Sequence, residues 1–295
     1  MKIAILGIES SHAWSFASKL SGRDNTPMFP DVELIGVYGD ATIEGFERGM
    51  KEIKKCSTCE VFGEKHDAFV DKADGVMVTA RHGNLHLPYA KPYLEKGMPV
   101  WLDKPICANV QEVMELIRLA KKYHAPICGG SSLVYSKEIQ RLRELVKENK
   151  GNIRGGHVTA QINMVNPYGN FWFYAPHLVQ MMIEIFGVEV RSVTAQRKEN
   201  GVQAVYKYDD FDVTAYFGTG YTATIYMDAG NAEVVNVTLT DCMEAELTEF
   251  YHMVKTGQGI EDYRTFAAPV FIIDATIKAY EERKEVEIII PKITG

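Results

Sequence analysis

Through its first 130 residues the chain alternates short apolar runs with segments of helical period. That alternation admits few folds, because parallel strands need helical crossovers between them. Residues 2–6, 33–38, 75–79, 100–102 and 126–128 read as strands. Between them Ala13, Phe16, Ala17 and Leu20 share one helical face, as do Ile43, Phe46, Met50 and Ile53. Asn109 and Glu112 make a capping-box-like start for a helix with Val113, Leu116, Ile117 and Ala120 on one side. Right-handed crossovers then build a Rossmann-like, doubly wound parallel sheet over residues 1–130.

At 295 residues and 46% hydrophobic content the chain exceeds what one core usually holds, which calls for a second domain. Past Gly129-Gly130 the pattern changes. A helix is expected over 136–147, and then strands near 153–165, 189–198, 202–208, 211–218, 221–228 and 233–239. Helices near 177–186, 242–256 and 264–282 complete an α+β domain over 131–295 with a largely antiparallel open sheet, and 286–290 adds a possible last strand. The cleft between two such domains is the default ligand site.

A net charge of −7 and the lack of long Lys/Arg blocks argue against a nucleic-acid or anionic-membrane surface, leaving small molecules as partners. Five cysteines, an odd number, fit a reducing compartment rather than a disulfide framework. Cys56 and Cys59 form a lone C-x-x-C, read as ordinary thiols. No eighteen apolar residues run together and the apolar start is too short for a signal-peptide core, so a cytoplasmic protein is expected.

After the first strand, a dinucleotide fold places G-x-G-x-x-G, with pyrophosphate over the helix N-terminus. Here the turn is Gly7-Ile8-Glu9-Ser10-Ser11-His12, and only the first glycine is present. Glu9 in the second position is expected to set bulk and negative charge against the anion. Ser10, Ser11 and the free N–H groups remain as phosphate donors, with His12 as a donor or cation; Ser11 is alternatively the helix cap. Asp40, ending the second strand, offers a carboxylate to an adenosine ribose.

Asp103-Lys104-Pro105 closes the strand at 100–102, eighteen residues after His86 of Asn84-Leu85-His86. A lysine at a strand's carboxyl end points into the ligand crevice, and its pKa shifts readily on burial, which suits proton transfer. With Ala73-Asp74-Gly75-Val76-Met77-Val78-Thr79, Gly97-Met98-Pro99-Val100 and that histidine-to-lysine step, the chain resembles the Gfo/Idh/MocA oxidoreductases, the family of glucose-fructose oxidoreductase and inositol dehydrogenase. The family's usual Glu-Lys-Pro is Asp-Lys-Pro here. Its second signature, D-x-G-x-H-x-x-D with the histidine opening a helix, is matched only at His177; Phe173 and Gln180 occupy the aspartate positions.

The resemblance implies a dehydrogenase that uses NAD or NADP to move hydride to or from a sugar, polyol or related hydroxy compound. It makes Lys104 and His177 catalytic, and implies a cis bond between Lys104 and Pro105. Gly7, Glu9, Ser10, Ser11, His12, Asp40, Thr79, His86 and Asp103 become cofactor contacts, and Arg81, Tyr174 and Gln180 substrate contacts. It also implies a homodimer or homotetramer associated through the second domain's sheet. His12, His82, His86 and His177 near one cleft raise metal binding, but too few acidic ligands accompany them and no metal is assigned. Two alternatives remain: a non-redox ligand-binding or regulatory relative, suggested by the altered turn and missing aspartates, and an NAD-dependent lyase or glycosidase.

Overall fold

The computed structural model describes residues 1–24 and 26–293, and the chain divides into two compact units. The first comprises Met1–Gly130 and Glu246–Glu261, the second Ser131–Ala245 and residues 262–293. The change of unit at Gly130 follows the change of pattern in the sequence. The return of 246–261 to the first unit has no counterpart in a two-block division.

In the first unit, β1 (Lys2–Leu6), β2 (Glu33–Tyr38), β3 (Gly75–Val78), β4 (Val100–Asp103) and β5 (Ile127–Gly130) form one sheet in the order β2-β1-β3-β4-β5. Every pairing is parallel. The strands are short and apolar because helices cover the sheet, and all four residues of β3 and of β4 are buried. α1 (Ser11–Ser21) buries Ala13, Phe16, Ala17 and Leu20, the face read from the sequence, and Phe16 meets Trp101 of β4 edge-on at 5.2 Å. α2 (Phe46–Cys56) begins after Ile43, at Gly45, whose φ of 93° is a glycine conformation. α4 (Val110–Lys122) is capped by Asn109, whose side chain accepts from the Glu112 amide at 2.8 Å.

α3 (His86–Leu94) holds Pro88 in its first turn, where a missing N–H is tolerated, and Pro92 in its interior, where the local preference is against a helix. Tertiary contacts override the local preference: Tyr89, Ala90, Tyr93 and Leu94 are all buried.

In the second unit, α5 (Lys137–Glu148), β6 (Ile153–Gln161), α6 (Phe171–Phe186), β7 (Ser192–Lys198), β8 (Gly201–Lys207), β9 (Asp212–Gly218), β10 (Thr222–Met227) and β11 (Ala232–Asn236) follow in order. α7 (Cys242–Thr256), α8 (Tyr263–Glu282) and β12 (Val286–Glu287) end the chain's regular structure. The sheet runs β11-β10-β6-β9-β8-β7-β12, antiparallel except where β6 lies parallel to β9. Its strands alternate buried and exposed residues, as a sheet with one covered face must. The core joins that face to α6 and α8, with Leu178, Met181 and Met182 among Val158, Phe217, Ile272 and Ile273.

Several boundaries differ from expectation. β6 stops at Gln161, because Asn163, Asn166 and Asn170 fold the next segment into side-chain-to-backbone turns. The tail strand is only Val286–Glu287. α6 starts at Phe171, so His177 lies inside the helix with Pro176 rather than opening it. The aromatic run 171–174 supplies the first turn, burying Phe171 and Phe173. Among the described residues no helix is long and apolar enough to cross a membrane.

Candidate active site

The turn after β1 is shaped by backbone crowding. Gly7 has φ of 104°, and a Cβ there would sit 2.3 Å from the Ala80 nitrogen, so only glycine fits. Its N–H donates to the Tyr38 carbonyl at 2.8 Å, and the buried Thr79 hydroxyl lies within reach of the Leu6 and Gly7 carbonyls. Ser10, not Ser11, is the helix cap: its Oγ accepts from the His12 amide at 3.3 Å, while Ser11 is the exposed first residue of α1.

Glu9 differs from expectation. Its side chain is 3% exposed and turned inward, where Oε1 accepts from the Arg81 amide at 3.0 Å. Burial pushes its carboxyl up from the ordinary value, against the lowering by its own and the Arg81 backbone N–H. The side chain thus ties the β1 turn to the loop after β3 instead of presenting charge to an anion. Asp40, at the end of β2, accepts from the amide and hydroxyl of Thr42 at 2.8 and 2.7 Å, which holds its carboxyl below the usual range.

The Asp103-Lys104 turn is the strongest concentration of charge chemistry in the first unit. The Lys104-Pro105 bond is cis. Asp103, 2% exposed, places Oδ2 2.8 Å from His12 Nδ1, and its Oδ1 accepts from the Lys104 amide at 2.6 Å. Burial alone would raise this carboxyl; His12 and Lys104 outweigh it and hold it below the ordinary value. Lys104 is 6% exposed, and burial draws its amine down to about 8, with Asp103 opposing and Arg81 reinforcing the shift. A lysine at that point trades protons close to neutrality.

His86 corrects another expectation. Its ring is fully buried, Nε2 lies 2.7 Å from the Ala80 carbonyl, and burial favours the neutral ring that donates there. It and Thr79, also fully buried, brace the loops and leave no side-chain surface for a cofactor. Gly83 lets the neighbouring turn approach, since a Cβ would lie 2.8 Å from Pro105 Cγ. Arg81 is half-buried, and the His82 ring accepts from the Asn84 amide at 3.3 Å.

The second unit holds its own polar cluster. His177, 7% exposed, sets Nδ1 2.7 Å from the hydroxyl of Ser131, which also accepts from the Leu133 amide at 3.3 Å. The rings of Tyr174 and Tyr221 each lie 6.0 Å from the imidazole. Burial, aided by Tyr174, pushes the Tyr221 phenol up to about 12. Gln180 is half-buried one helical turn beyond His177. Lys104 thus belongs to the first unit, and His177, Tyr174 and Gln180 to the second.

Two residues escaped the sequence reading. Ser131 gives no pattern of its own, because its partner is 46 positions away. Glu246 left a readable signal: a charged residue on the apolar stripe of α7, with Phe250 and Met253. Among the described residues no group of three His, Cys, Asp or Glu side chains is arranged to hold a metal, and none of the five cysteines is in a disulfide.

Residues 3–130 match the Gfo/Idh/MocA family, an oxidoreductase family with an NAD-binding Rossmann fold. Inositol 2-dehydrogenase of Corynebacterium glutamicum strain R is 27% identical over 103 residues, so the match spans 33% of this chain and 31% of that relative. Over the whole chain, a myo-inositol dehydrogenase of Lactobacillus casei, solved with NAD(H) and myo-inositol, superposes with a TM-score of 0.80 at 13% identity, covering 99% of this chain and 98% of the other. A probable dehydrogenase of Thermotoga maritima gives 0.78 at 17% identity, with 98% and 99% covered. At these identities the likeness is one of fold.

Proposed function

We propose that this protein is an NAD-dependent dehydrogenase of an inositol-like polyol or related sugar alcohol, a reading supported by the match of residues 3–130 to the Gfo/Idh/MocA oxidoreductase family with its NAD-binding Rossmann fold. The observation that carries the reading is the buried Lys104, drawn down to about 8 at the carboxyl end of β4 beside Asp103. The residues after β1 fit a dinucleotide. Gly7 keeps the turn tight, the Glu9 carboxylate is taken up by the Arg81 amide, and the exposed Ser11 begins α1, whose N-terminus favours anions. Asp40 is placed at the end of β2, the usual position for a ribose contact.

The cofactor supplies a hydride acceptor. Lys104, as the neutral amine, takes the proton of the substrate hydroxyl, and the Asp103 carboxylate beside it stabilises the resulting ammonium. His12, paired to Asp103, keeps that carboxylate ionised and aimed. His177, whose Nδ1 meets the Ser131 hydroxyl, is the second residue read as catalytic. The inositol substrates of the similar proteins support the substrate class. We read the protein as a cytoplasmic homodimer or homotetramer; Tyr226 and Val234, exposed on the seven-stranded sheet, support the association.

Titration with NAD(H) and NADP(H), followed by reduced-nicotinamide fluorescence, tests the cofactor, and an inositol and polyol panel tests the substrate. Lys104→Met is expected to bind NADH as the wild type does and to lose turnover by about 10² or more. Binding of neither dinucleotide, or undiminished turnover in Lys104→Met, overturns the reading.

A further inference from the structure

α7 turns Glu246, Leu247, Phe250 and Met253 into the protein, each at most 2% exposed. Phe250 and Val254 crowd Gly75 at the start of β3, and after the helix the Ile260 amide donates to the Ile127 carbonyl of β5 at 2.9 Å. β3 and β5 are the two neighbours of β4. α7 therefore packs on β3 and the segment after it on β5, the two strands beside β4, and Glu246 stands on the buried stripe of the helix.

Neither carboxylate oxygen of Glu246 has a hydrogen-bond partner. An ionised carboxylate so placed lacks the donors that make burial of charge tolerable, so the neutral acid is its resting form. The titratable groups near enough to act on its charge are Asp103 and Lys104 from β4 and its turn, Cys128 from β5 and Glu249 from α7 itself. Burial pushes the Glu246 carboxyl well up, Asp103 and Glu249 add to this, and Lys104 alone opposes it. Lys104 in turn faces Arg81, and Asp103 faces His12.

We propose that Glu246 is a positioning residue for the Lys104 proton, a carboxyl stored in the acid form that releases its proton to water as Lys104 gains one. Amine and acid become ammonium and carboxylate: one proton arrives from the hydroxyl, one leaves to solvent, and no electrons move. The buried pair gains no net charge, and the attraction between ammonium and carboxylate offsets part of the cost of protonating Lys104. The functional consequence rests on Lys104 as the proton acceptor; the coupling between the two groups does not.

The test uses the full chain, without cofactor or substrate, carrying 13C at glutamate Cδ and lysine Cε and titrated by NMR. The glutamate signal lost in Glu246→Gln identifies Glu246. Its midpoint is expected above the ordinary carboxylate range and to rise by about one pH unit or more in Lys104→Met, while the Lys104 midpoint falls by a similar amount in Glu246→Gln. The acid limb of the kcat/KM profile should move with the Lys104 midpoint, a change that a merely structural glutamate would not produce. If Glu246→Gln does not fold, wild type and Lys104→Met carry the comparison, Glu246 being the signal that shifts between them. Midpoints that ignore each other, or a Glu246 that titrates as an ordinary carboxylate, overturn the proposal. Coupling together with full turnover in Lys104→Met upholds the pairing and removes Lys104 as the acceptor.

Discussion

Replacing Lys104 with methionine should stabilise the first unit while it removes activity, and the size of the gain follows from the burial of the amine. Moving that amine from 10.5 to about 8 corresponds to about 3 kcal/mol against the charged form in the folded state. The sign is set by proton binding. Below pH 8 both folded and unfolded chains hold the proton, and the folded state bears the full cost of an interior ammonium. Between about 8 and 10.5 the unfolded chain binds a proton that the folded chain has released, so wild-type stability climbs with pH through that window. Methionine has similar length and no charge to desolvate. Lys104→Met should therefore exceed the wild type by about 3 kcal/mol at neutral pH, and the gap should close near pH 10.5. Guanidinium unfolding read by tryptophan fluorescence measures it. A Trp172→Phe background confines the signal to Trp14 and Trp101, both in the first unit, which matters because two units need not unfold in one step. No gain at neutral pH, or a gap that persists to pH 10.5, would show that Lys104 is not a desolvated cation and would remove the physical basis for its proton transfer.

Glu9→Gln keeps the acceptor for the Arg81 amide and removes a buried charge, so it should raise stability at neutral pH and leave NADH affinity within about twofold, as judged by fluorescence titration. Tenfold tighter binding would mean that the Glu9 charge reaches the cofactor after all. Ser131→Ala removes the hydroxyl beside His177 Nδ1 and should lower kcat about tenfold with little change in KM, the scale of one buried hydrogen bond; steady-state kinetics at fixed pH decide it, and an unchanged kcat would make Ser131 a helix-cap residue only.

The parallel sheet and its order of elements were legible in the sequence because their causes are local. A strand buried on both faces needs a short apolar run, and an amphipathic helix needs apolar residues at helical spacing, as in Ala13, Phe16, Ala17 and Leu20. Lys104 was legible for the same reason: it directly follows such a strand. Tertiary structure decided whatever depends on partners distant in sequence. α3 forms despite the interior Pro92 because its apolar side chains are buried, α6 reaches back to Phe171 because an aromatic first turn packs inward, and β6 runs parallel to β9 across dozens of intervening residues. The Asp103–His12 pair joins the end of β4 to the start of α1, and Glu9 spans from the first turn to Arg81. Glu246 comes to the Asp103-Lys104 turn only because its helix leaves the second unit for the first. Sequence periodicity records which face of an element is buried; it does not record which remote element buries it, and the charges at this site are set by those remote neighbours.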